Sequence, residues 1–76
     1  MTLDELLERK RTDQLPPPEQ RRALRHLHEL TESDIGTIVG AATSSVSRWE
    51  TGKREPRGDQ RRRYRELLEQ LARTIG

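Results

Sequence analysis

Hydroxyls and cations crowd into one short stretch of this 76-residue chain: Thr43, Ser44, Ser47, Arg48 and Thr51, with Lys53 and Arg54 just beyond. A serine or threonine is a nucleophile only beside an activating base. No Ser/His/Asp grouping with a plausible pocket is present, and so short a chain has little room for a deep one. His26 and His28 are two residues apart. On a helix that is about 200° of rotation, so they cannot grip one ion. There is no cysteine, which leaves no thiolate metal site and no disulfide framework. A phosphate-cradling glycine loop and the H-E-x-x-H pattern are absent as well. The expectation is therefore a non-enzyme with no metal and no cofactor. Its chemistry is hydrogen bonding by short hydroxyls and one planar guanidinium.

Those side chains need a rod to carry them. On a helix wheel at about 100° per residue, Ser45, Val46 and Trp49 fall on one side. Thr43, Ser44, Ser47, Arg48 and Thr51 fall on the other. Glu50 lies at the edge, so the outward set carries no acid in a chain with 13 acidic residues. An acid-free protruding face suits a polyanion. The DNA major groove admits such a helix, and there Arg48 can hold guanine O6 and N7, with about 1–3 kcal/mol of discrimination. Thr43, Ser44 and Ser47 let the backbone lie close to base edges. For Thr43 and Ser44 a second role stays open, as caps of this helix.

The rest of the chain reads as helices that hold this rod. Thr2, followed three residues on by Glu5, forms a capping-box pattern, with Leu3, Leu6 and Leu7 as a stripe fading towards Asp13. Pro16 to Pro18 break that helix. A second helix starts near Pro18 and is expected to turn Ala23, Leu24, Leu27 and Leu30 inward. Thr31 caps a short third helix, carrying Ile35, Ile38 and Val39 and ending near Gly40. Gly36 inside it makes sense if another backbone approaches closely. A fourth helix starts near Ala42 or Thr43 and ends before Gly52. After a loop from Gly52 to Gly58, Asp59 caps a last helix running to about Thr74, with the stripe Tyr64, Leu67, Leu68, Leu71 and Ile75. No period-2 alternation appears. The fold is expected to be all-α, a compact bundle of four to five helices, with residues 1–15 as a helical extension and 16–76 as the main domain. Two short helices about a tight glycine turn at Gly40–Ala41–Ala42 have the form of a helix-turn-helix.

From Leu30 to Pro56, 27 residues without a gap, the chain resembles the helix-turn-helix of the Cro/repressor (Xre-type) family. Val46-Ser47-Arg48-Trp49-Glu50-Thr51-Gly52-Lys53-Arg54-Glu55-Pro56 is the strongest part. Leu24-Arg25 matches the family's first helix. The resemblance implies a lambda-repressor-like fold with Thr43, Ser44, Ser47 and Arg48 reading bases. It puts Thr51, Lys53, Arg54 and the amides at the start of the Thr31 helix on phosphates. It also pairs Arg25 with Glu50, either as a buried salt bridge or as two separate surface charges. This sequence departs from the pattern at Glu32, where glutamine is common, and at Glu29, where a helix-ending glycine is common. Ala42 replaces a hydroxyl cap, a role then expected of Thr43.

Charge adds a direction. The formal net charge is +2. Residues 57 to 76 hold six basic and three acidic side chains, either a solvated helix face or an extension of a phosphate footprint through Arg57 and Arg61. Arg62 and Arg73 are expected to be merely solvated. The core candidates are Leu24, Leu27, Leu30, Ile35, Ile38, Val39, Val46, Trp49, Tyr64, Leu67, Leu68 and Leu71, which is little for a stable domain. Leu3, Leu6, Leu7, Leu67, Leu71 and Ile75 exceed that need. They are expected either to form a homodimer contact or, for the N-terminal leucines, to fold back on their own domain. No signal peptide or membrane span is expected, and the lack of cysteine leans towards the cytoplasm, on the nucleoid. The expected function is a sequence-specific, repressor-like regulator bound to double-stranded DNA. The other reading is an interaction module, an antitoxin or polymerase adaptor, that meets a protein partner through its N- or C-terminal helix.

Overall fold

The computed structural model describes residues 1–12 and 14–74, with side chains described for 1–7 and 14–74. Five helices follow one another: α1 (Leu3–Thr12), α2 (Pro18–Leu27), α3 (Glu32–Val39), α4 (Thr43–Thr51) and α5 (Gly58–Arg73). Together they form an all-α bundle with a helix-turn-helix-like arrangement at α3 and α4. Ile75 lies outside the described residues.

Local chemistry sets most boundaries. Thr2 Oγ1 accepts from the Glu5 amide at 3.3 Å at the start of α1. Pro17 and Pro18 open α2, where a missing amide hydrogen costs nothing. Thr31 and Asp34 make a reciprocal capping box on α3, at 3.0 and 2.8 Å. The Asp34 carboxyl is held below the usual aspartate range, first by the Thr31 backbone amide. Gly40 and Gly52, both left-handed at φ 76°, end α3 and α4. Glu29 also takes a left-handed φ of 56° after α2, the position where a glycine is expected to end the helix.

Gly36 meets its expectation. A Cβ there would lie 2.5 Å from the Ala41 carbonyl oxygen, so only glycine lets the turn fold back against α3. Two of the expected caps are not formed. Thr43 is the first residue of α4, Ala42 is its N-cap, and no side chain caps it among the described residues. Arg57 is the N-cap of α5, so Asp59 sits in its first turn instead.

α3 packs on α4, α2 on α4 and α5, and α3 on α5; α1 is in none of these principal pairs. Ile35, Val39, Val46, Trp49, Tyr64 and Leu68 form the core, with Leu15, Leu24, Leu30, Ala41 and Leu67 against it. The Trp49 and Tyr64 rings meet at 5.0 Å and 41°, a tilted pairing of the kind aromatic quadrupoles favour. Leu71 is buried and Leu67 packs on the core, so both are used within the chain. Leu27 and Ile38, expected inside, are 58% and 52% exposed, and Ala23 is exposed too. The reason lies in α2, whose inward face is built on Arg21 and Arg25 and leaves Ala23 and Leu27 on the opposite flank. The N-terminal leucines do not fold back: Leu3, Leu6 and Leu7 are exposed.

Candidate nucleic-acid interface

The short rod α4 turns its two sides to different surroundings. Val46, Trp49 and Glu50 are buried, whereas Thr43, Ser44, Arg48 and Thr51 are exposed and Ser47 is half-buried. This is the division the helix wheel gives, with Glu50 drawn further inward than its edge position indicates. The four base-reading candidates thus share the solvent side of one helix.

Glu50 is inside because Arg25 meets it there. Arg25 Nε donates to Glu50 Oε2 at 2.7 Å and its Nη2 to Oε1 at 2.8 Å, a two-pronged pair. The Glu50 side chain is only 3% exposed. The third guanidinium nitrogen, Nη1, donates to the Leu30 carbonyl at 3.0 Å. Hydrogen bonding to Glu50 raises the Arg25 pKa, against the opposing effect of burial, and Glu32 adds a smaller pull in the same direction. Of the two readings of Arg25 and Glu50, the structure has the buried bridge. It ties α2 and the turn before α3 to the back of α4, and it removes the one carboxylate of α4 from the outward face.

A second clamp was not evident in the sequence. Arg21 is buried to 4% exposure and joins three segments. Its Nε donates to the Pro16 carbonyl at 2.7 Å and its Nη1 to the Trp49 carbonyl at 3.1 Å. Both terminal nitrogens reach the Glu55 carboxylate, at 3.1 and 3.0 Å. Arg21 is one turn before Arg25, and Glu55 lies five residues past Glu50. That doubled spacing was the available signal.

The loop after α4 is fastened by backbone. The amides of Lys53 and Arg54 both donate to the Arg48 carbonyl, at 3.0 and 3.3 Å, and Gly52 supplies the left-handed turn that permits it. The Thr51 hydroxyl donates to the Ser47 and Arg48 carbonyls at 3.1 and 3.2 Å. Lys53, Arg54 and Arg57 are exposed on this side. Arg61 differs from its expectation: its Nη1 lies 3.7 Å from Glu55 Oε2 and its side chain is 26% exposed, so it is a neighbour of the Arg21 clamp. Thr31 spends both its hydroxyl and its amide on Asp34, which leaves the next amides of α3 to carry any contact there. On α5, Arg62 lies 3.6 Å from Asp59 and 3.5 Å from Glu66, in place of simple solvation.

His28 Nε2 lies 2.8 Å from the Leu71 carbonyl oxygen, holding the C-terminal ends of α2 and α5 together, while His26 is exposed. Among the described residues no group of His, Cys, Asp or Glu is placed to hold a metal ion, and no helix is long and apolar enough to cross a membrane. Comparison of the chain with family models, with curated proteins and with solved structures finds no match.

Proposed function

We propose that this protein is a sequence-specific, repressor-like transcriptional regulator that lays α4 in the major groove of double-stranded DNA. The observation that carries this reading is the outward face of α4. It has hydroxyls at Thr43, Ser44 and Ser47 beside the Arg48 guanidinium, all on the solvent side, while the helix's one carboxylate is turned in and paired with Arg25. Hydroxyls and a bidentate guanidinium are what base edges accept, and the small side chains allow close approach. Lys53, Arg54 and Arg57 supply phosphate contacts from the adjoining loop, and Thr51 with the first amides of α3 adds to them. The resemblance of Leu24 to Pro56 to the Cro/repressor family supports the same assignment. In this reading the protein acts as a homodimer on two half-sites, in the cytoplasm on the nucleoid, as a binding protein and not an enzyme.

The second reading, an interaction module for a protein partner, is favoured by the exposed leucines of α1. One experiment separates them. Duplexes captured by the full chain from a random pool give the site, and Arg48→Ala and Lys53→Ala are then measured on it. Arg48→Ala is expected to cost about 1–3 kcal/mol and to relax preference at one base pair. Lys53→Ala is expected to weaken all sequences alike and to lower the salt slope by about 1. Capture of no preferred duplex, or full binding by both variants, would overturn the groove assignment.

A further inference from the structure

Two apolar surfaces of this chain face solvent, and they are complementary. One is the α1 stripe of Leu3, Leu6 and Leu7, at 70%, 41% and 43% exposure. The other is a groove of about 530 Å³ between α2 and α5, floored by Ala23, Leu24, Leu27, Leu68 and Ala72. The groove runs along α2 from Gln20 to Leu27, about 12 Å at the helical rise, and the ten residues of α1 span about 15 Å. Leucines at i, i+3 and i+4 form a single ridge that fits such a channel. Charge agrees: Arg65 stands in the groove wall, and the first turn of α1 carries Asp4 and Glu5.

The hinge between the two surfaces decides which copy supplies the ridge. Leu15 packs on the core, the Pro16 carbonyl is held by Arg21, and Pro17 caps α2. Only Asp13 and Gln14 separate these fixed residues from the end of α1. Each residue that precedes a proline is biased to extended backbone, so Leu15 to Pro17 resist the reversal that would lay α1 in its own groove. Short, stiff hinges favour exchange of an element between copies.

We propose that the protein forms a reciprocal dimer in which Leu3, Leu6 and Leu7 of each copy seat in the α2–α5 groove of the other. The exchange is two-fold symmetric and closed, so it stops at two copies. It stands apart from the nucleic-acid assignment, since neither surface includes α4.

The test is sedimentation equilibrium of the full chain across a dilution series without DNA. Wild type is expected at twice the single-chain mass, falling to one on dilution. Leu6→Glu breaks the ridge and Leu27→Glu breaks the groove. Both sites are exposed, and unchanged far-ultraviolet circular dichroism verifies that each variant stays folded. Each variant alone is expected at single-chain mass. An equimolar mixture is expected to regain mass, because the Leu27→Glu ridge is intact and so is the Leu6→Glu groove. A wild type that is monomeric at every concentration, as when each α1 covers its own groove, overturns the proposal. So do variants that remain dimeric, or a mixture that stays at single-chain mass, as α1–α1 pairing or a foreign partner would give.

Discussion

Tyr64 holds a hydroxyl that is sealed in the core without a hydrogen-bond partner among the described residues. Burial pushes its phenol above the ordinary tyrosine pKa, and the nearby Glu50 charge adds to this. The unfolded chain ionises this group near pH 10 while the folded chain resists. The resulting stability is complete below about pH 10 and is lost as pH rises beyond it. Tyr64→Phe is therefore expected to leave stability at pH 7 unchanged or higher by up to about 1 kcal/mol, since an unpaired buried hydroxyl is removed. It is also expected to move the alkaline unfolding midpoint upward. Urea titrations at pH 7 and pH 10.5 read both effects, and a loss above about 1 kcal/mol at pH 7 would mean the hydroxyl has a partner. At the same scale Arg48 was legible from its helix position alone. Arg21 was not, because burial of an arginine depends on a carboxylate 34 residues away and on two carbonyls, which one-dimensional spacing does not display.

Between helices, the Arg25–Glu50 pair is the joint that sets α4 on α2. Removing one partner leaves a charge buried without compensation, which costs about 3–5 kcal/mol. Arg25→Ala and Glu50→Ala are each expected to fall in that range, while the double substitution costs clearly less than their sum. Chemical denaturation of the three variants measures this, and additive losses would show that the two charges act independently. Helix limits were legible wherever a cap or a glycine carries its own signal, as at Thr31, Gly40 and Gly52. The facing of α2 was not. Apolar residues at Ala23 and Leu27 pointed to an inward stripe, whereas the inward positions are held by two arginines whose guanidinium groups are fully employed. A hydrophobic count cannot tell a core from an open groove, and the same ambiguity put Ile38 inside when it faces solvent.

For the molecule as a whole, composition settled little, since a net charge of +2 is compatible with many partners. What matters is placement. α4 and its loop gather hydroxyls and cations on one side, and the apolar surplus of α1 and the α2–α5 groove lies elsewhere. Neither placement can be read before the helices are packed, because it depends on which face each helix buries. The central claim is that the outward side of α4 is the surface that meets DNA. Its most direct measurement is a map of backbone amide chemical shifts on titration with a duplex selected by the chain. The largest changes are expected at Thr43, Ser44, Ser47, Arg48 and Thr51 and through Lys53 and Arg54, with little change at Leu27 and Ala72. Changes centred on α1 or the α2–α5 groove, with α4 silent, would contradict it.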